Sequence, residues 1–168
     1  MNFSLLNLAA ILATASAFTP ARPVAKTTTT TALRMSSSTW YEDDKVVTLV
    51  PKFKIKEGMK EQYIALLPKF VELVKANEEG SCVHYGFVGP TEDDFVICRE
   101  GYNDAAGLLK HLDNVGDVLN EALQYADIVD LYVQGPAGEL EKLKEALADF
   151  GPDYYPLAEG SLRSKATP

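Results

Sequence analysis

Two long runs of helical spacing alternate with four short runs rich in β-branched and aromatic residues, in the order strand, helix, strand, strand, helix, strand. That order constrains the chain more than any single motif in it. Over residues 46–55 (VVTLVPKFKI), Val47, Leu49, Phe53 and Ile55 alternate as on a strand with one buried face. Pro51 has no amide hydrogen to donate, so it implies an edge, a bulge or a stretch where the partner strand has ended. Residues 58–77 place Met59, Tyr63, Leu66, Leu67, Phe70, Val71, Leu73 and Val74 at helical spacing, and Pro68 inside that run should kink or divide the helix. Glu78-Glu79-Gly80-Ser81 closes it. CVHYGFV (82–88) and FVICREGY (95–102) flank GPTEDD and predict a hairpin. Asp104 N-caps a second helix carrying Leu108, Leu112, Val115, Val118 and Ala122, with a break expected near Gly116. Residues 127–134 read as a fourth strand and 137–150 as a third helix. YYPLAEG adds a short fifth strand that Pro156 keeps at an edge.

The expected fold class is therefore α+β: a ferredoxin-like βαββαβ unit with a C-terminal helix and strand, its helices covering one face of the sheet. The other face must also be hidden, most simply by a symmetric copy of the same chain. A homodimer is expected.

The 168 residues suit one domain and carry a net charge of −8. The charge is unevenly placed. Residues 1–41 contain no acid and three bases, Arg22, Lys26 and Arg34, so the rest of the chain holds 13 of the 16 Lys and Arg against all 24 Asp and Glu. That acidic balance argues against a nucleic-acid partner. Phe3–Ala13 has the length of a signal-peptide core and is too short to span a bilayer, and Ala15-Ser16-Ala17 offers a cleavage pattern. The Thr/Ser-rich, acid-free segment that follows has transit-peptide composition. Expected boundaries are 1–17 signal peptide, 18–40 transit peptide, 41–135 main domain, 136–160 C-terminal helix and strand, and 161–168 tail, with no membrane span in the mature form. Cys82 and Cys98 are too few for a disulfide scaffold or a four-cysteine zinc site, and read as buried small hydrophobes. Two histidines and scattered carboxylates do not make a metal site, although His111 or His84 could supply a single porphyrin ligand.

A signal peptide running into a transit peptide, with Phe18 after Ala-Ser-Ala, resembles the bipartite presequence of algae with secondarily acquired plastids. The resemblance implies plastid localisation; secretion is the alternative. In the body of the chain, Glu79-Gly80-Ser81-Cys82-Val83-His84-Tyr85, then Phe95 to Asp104, then Ala106 and His111, resemble the antibiotic biosynthesis monooxygenase (ABM) group of the dimeric α+β barrel superfamily over residues 46–134. The resemblance implies a homodimer with facing sheets and a cavity in each protomer between sheet and helices. It also implies oxidation of a quinol, phenolic or other electron-rich small aromatic by O2 without a cofactor. The positions it carries over are Tyr85, Glu100, Tyr102, Asp104 and His111. The helical Trp of haem-degrading relatives is missing, since Trp40 precedes the first strand. The alternatives are a non-catalytic protein binding a small apolar pigment or tetrapyrrole, and a structural stress-response barrel.

His111 is the candidate acid/base, because an imidazole can take a phenolic proton near neutral pH. Its neighbours Lys110 and Asp113 point instead to a half-exposed helix flank, on which His111 would be a boundary histidine bonded to the preceding loop. Glu100, costly in an apolar strand unless paired, is either an orienter for that base or for Tyr102, or a structural ion pair with Arg99 or a partner residue. Pairing Val88 with Phe95 would put His84 opposite Arg99 and Val83 opposite Glu100, so that His84 lines the pocket or the dimer face. Tyr63, Tyr85, Tyr102 and Tyr132 are candidates to hold a planar ligand.

Overall fold

The computed structural model describes residues 39–41, 43–159 and 162–165. The expected signal and transit peptides lie almost wholly outside these residues. The elements run β1 (Val47–Ile55), α1 (Lys60–Asn77), β2 (Cys82–Val88), β3 (Phe95–Tyr102), α2 (Ala105–Tyr125), β4 (Ala126–Gly135), α3 (Ala137–Glu141), α4 (Lys144–Leu147), a 3-10 turn (Ala148–Phe150) and β5 (Asp153–Pro156). One sheet is ordered β2-β3-β1-β4-β5, antiparallel except for the β4–β5 pair. The α+β, ferredoxin-like fold is the one present, with β5 added at an edge. A parallel neighbour needs a crossover, and α3, α4 and the 3-10 turn provide it.

Alternation along β1 buries Val47, Leu49, Pro51, Phe53 and Ile55 on the face that also receives Tyr63, Leu66, Phe70 and Val74 of α1 and Leu108, Val115, Val118 and Ala122 of α2. Leu140, Leu143 and Leu147 join that face beside α2, packed with Leu49, Leu108 and Val133. The helix-covered side thus has three layers of contributors. The opposite side carries Thr48, Val50, Lys52, His84, Arg99, Tyr132 and Tyr155, none of them fully buried.

Several local expectations are resolved or corrected. Pro51 sits in the central strand rather than at an edge, and its other readings hold: the ladder to β3 lapses at Val50 and Pro51, and that to β4 shifts register between Lys52 and Phe53. The lapse absorbs the missing donor. Pro68 does not divide α1: it is exposed, so the carbonyl it leaves unbonded faces water. α2 runs unbroken through Gly116. The segment 137–150 is not one helix. Leu143 N–H donates to Leu140 O and Lys142 N–H to Glu139 O, and such i+3 turns bring Leu140 and Leu143 onto the same side, both buried. The hairpin register pairs Val88 with Ile97 and Tyr85 with Glu100, two residues from the expected pairing. A slip of two preserves faces, so His84 and Arg99 still share one side, but His84 lies opposite Gly101 rather than Arg99. Val83 falls at a bulge and is exposed instead of facing Glu100.

Residues 162–165 of the expected tail lie against the segment before β1. Trp40 bridges Ser164 antiparallel, Tyr41 N–H donates to Arg163 O (2.9 Å) and Lys165 N–H to Thr39 O (2.7 Å).

Candidate functional site

Three buried ionisable side chains meet between α1, α2 and β3. Asp104 accepts from Gly107 N–H (2.9 Å) and starts α2, and Glu139 Oε2 accepts the neighbouring Ala105 N–H (3.1 Å). Acids at a helix N-terminus satisfy donors the helix cannot. Two turns on, His111 points at the sheet. From the middle of β3, Glu100 alternates onto the same side as Val96, Cys98 and Tyr102. The third member is Glu78, at the C-terminal cap of α1.

The imidazole is sandwiched between the carboxyl groups. His111 Nδ1 lies 3.0 and 3.2 Å from the two oxygens of Glu78, and Nε2 lies 3.1 Å from Glu100 Oε2. Relative exposure is 3% for His111, 3% for Glu100 and 0% for Glu78. This corrects the half-exposed boundary histidine, and the loop partner with it. Asn114 Nδ2 donates to Glu78 Oε1 (2.7 Å), and the Tyr102 hydroxyl donates to Glu100 Oε2. Cys98 and Tyr85 line the same cavity as Glu100. Arg99 is on the other face, so the suggested Glu100–Arg99 ion pair is absent.

Burial is the first cause of the titration shifts. It pushes Glu100 up to about 8, and the charge of Glu78 adds to the rise while the bond from Tyr102 opposes it. Burial also lowers His111, partly countered by Glu78. Both directions favour a neutral Glu100 carboxyl donating to a neutral imidazole. In that arrangement Nδ1 carries the hydrogen donated to Glu78, and Nε2 accepts the hydrogen of Glu100 Oε2. Burial raises the Tyr85, Tyr102 and Cys98 hydrogens out of reach of neutral pH, leaving those groups as donors.

Glu100 and His111 line a cavity of about 40 Å³ whose other walls are almost wholly apolar, including Pro51, Phe70, Tyr85, Phe87, Leu131, Leu147 and Phe150. The space admits water-sized occupants; an aromatic ring needs its walls to part. Of the expected ligand contacts, Tyr85 is in the wall, its ring centroid 5.2 Å from that of His111. The others are elsewhere. Tyr63 packs on Phe53 in the core, Tyr102 stands behind Glu100, Tyr132 stacks edgewise on Tyr155 across the open face, and His84 lies over Gly101 on that same face. With both ring nitrogens of His111 engaged, neither is free to ligate a porphyrin. The two carboxyl groups flank the ring on opposite sides, and among the described residues no group of three or more His, Cys, Asp or Glu could hold a metal ion.

Glu78 escaped the sequence reading, which took it only as part of a helix end. A signal existed: a carboxylate at a helix C-terminus opposes the helix dipole, so it needs a compensating partner elsewhere.

No protein-family model and no curated protein matches the chain. Among solved structures, MupZ from Pseudomonas fluorescens is similar at 34% identity, over 71% of this chain and 95% of that one, with a TM-score of 0.64. The chain belongs to the family of MupZ. Antibiotic biosynthesis monooxygenase-like proteins are also among its structural neighbours. One from Chloroflexus aurantiacus is 18% identical over 56% of this chain and 95% of its own (TM-score 0.45). A conserved protein from Methanosarcina mazei is 17% identical over 54% and 91% (TM-score 0.47). The match to MupZ reaches beyond the 54–56% of the chain that the other two cover.

Proposed function

We propose that this member of the MupZ family is a small-molecule enzyme in which Glu100 and His111 move a proton in the wall of an apolar cavity. The observation that carries the reading is the line Glu78, His111, Glu100, buried together and opening on that cavity. Tyr102 and His111 occupy Glu100 Oε2, which leaves Oε1 to receive a substrate proton as the Oε2 hydrogen passes to Nε2. The imidazolium so formed faces the Glu78 carboxylate, which stabilises it. Tyr85 and Cys98 line the same cavity as the acceptor, and the apolar walls exclude water that would compete for the proton.

The specific activity we propose is cofactor-independent oxidation of a phenol or quinol by O2, which rests on the ABM resemblance. Deprotonation makes the ring electron-rich. One oxygen atom bonds to a ring carbon, the C–H and O–O bonds break, and the second atom leaves as water. Phenol plus O2 gives quinone plus water, so the substrate supplies all four electrons. The test is oxygen uptake with a panel of quinols, phenols and tetrapyrroles, alongside optical titration, for the protein and for His111→Ala. Uptake that collapses in the variant supports the reading; binding without uptake in either makes the protein a carrier.

Two further proposals accompany this. A second copy of the chain covers the open sheet face, where Val50, Val88, Tyr132 and Tyr155 lie among charged residues, and sedimentation equilibrium tests it. The N-terminal leader delivers the protein to a plastid, which a fluorescent fusion to residues 1–40 tests. No helix among the described residues is long and apolar enough to cross a membrane.

A further inference from the structure

Glu78 is held at one end by His111 and Asn114, and the structure also shows what holds the other. Its carbonyl accepts Ser81 N–H, the Ser81 hydroxyl and Cys82 N–H, each at 3.0 Å. The turn so closed includes Gly80, whose φ of +80° suits glycine. Asn103, just beyond β3, grips the turn twice: its N–H donates to Ser81 O (2.9 Å) and its Nδ2 to Gly80 O (2.6 Å). Arg163 in turn donates from Nη1 to Asn103 Oδ1 (2.5 Å), while its Nε lies 3.0 Å from Asp44, whose side chain is almost fully buried. Its guanidinium stacks 4.1 Å from the Tyr41 ring centroid.

An arginine has donors only, so Asn103 must present its oxygen to Arg163 and its NH2 to Gly80. Without Arg163 the amide oxygen loses its donor, and only the Gly80 carbonyl still holds the Asn103 side chain against the turn. We propose that Arg163 and Asn103 are positioning residues that fix Glu78, and through it the hydrogen on His111 Nδ1. The C-terminal segment is thereby part of the site's support although it lies outside the ferredoxin-like unit. The catalytic meaning of this rests on the proposed proton transfer; the structural claim does not.

The test uses the full chain labelled with 15N-histidine. There are only two histidines, and His84, on the opposite face, is the internal control. In the unmodified protein the His111 Nδ1 hydrogen should exchange slowly with water. Arg163→Ala should speed that exchange at least tenfold with the His84 ring signals unmoved, and Arg163→Lys should restore part of the protection. Asn103→Asp decides the matter if Arg163→Ala fails to fold: it keeps the acceptor for Arg163 and loses the donor to Gly80, so the ends stay clasped while His111 is released. Unchanged His111 exchange in Asn103→Asp would overturn the proposal. So would an equal change in the signals of both histidines, which would mean general loosening. A protein that consumes no oxygen leaves this result standing.

Discussion

The two histidines of this chain sit on opposite faces of one sheet and meet opposite fates. His111, on the helix-covered face, has both nitrogens held by buried carboxyl groups. His84 is exposed, lies over Gly101, and is lowered from its ordinary value first by partial burial and then by the neighbouring Arg99 charge. The same side chain is thus a buried ring held between two carboxyl groups on one side and an unbraced surface ring on the other. The difference comes from the partners each face supplies, not from the residue type.

That contrast can be broken or sharpened experimentally. The largest expected effect is on turnover: His111→Ala should lower oxygen uptake by about 10²–10⁴-fold, the usual span for losing a general acid/base, in steady-state assays of the active substrate. Leu147→Ala, at a fully buried position that also walls the cavity, should cost about 2–5 kcal/mol in denaturant unfolding. Glu78→Leu leaves the buried His111 Nδ1 hydrogen without an acceptor, while the half-buried Asn114 amide can turn to water, a loss of about 1–3 kcal/mol in the same measurement.

The pH dependence is subtler. Glu100 rises from 4.5 to about 8 on folding, so between those values the folded state holds more protons than the unfolded one. The stability it confers is full below about pH 4.5 and is lost as pH rises through 8. His111 is lowered from 6.5, so its contribution has the opposite sign and falls away as the medium becomes acidic. The melting temperature should therefore decline between pH 6.5 and 9, and Glu100→Gln should flatten the decline. The smallest effect is expected on the open face. A Cβ on Gly101 would approach the exposed His84 ring to 2.5 Å, but that ring can swing into solvent. Gly101→Ala should change stability by roughly 0.5 kcal/mol or less and leave uptake unchanged, as parallel melts and assays would show.

What could be read from the sequence was local. The strands at 82–88 and 95–102 stand where alternation and turn residues placed them, because period and punctuation are written in consecutive residues. The faces of the hairpin survived a wrong register because the error was an even number of residues. His111 and Glu100 could be picked out individually. Their junction with Glu78 could not, since it depends on α1 packing against α2 across 33 residues of chain. The tyrosines show the same limit: spacing suggests which are buried, and only the packing separates Tyr85 in the cavity wall from Tyr63 in the core. The break in 137–150 likewise belongs to tertiary structure. Its residues favour a continuous helix, and the sheet surface that receives Leu140 and Leu143 selects tighter turns instead.

The bridge between Trp40 and Ser164 has a topological consequence. With Lys165 bonded directly to Thr39, a linker of a few residues, at about 3.3 Å each, would join those positions without disturbing either. New ends could then be cut into the exposed turn between β2 and β3, giving a circular permutant that keeps every strand pairing. In such a molecule the order of synthesis would change while the architecture would not, and the hairpin that begins the second half of the fold would become its two extremities.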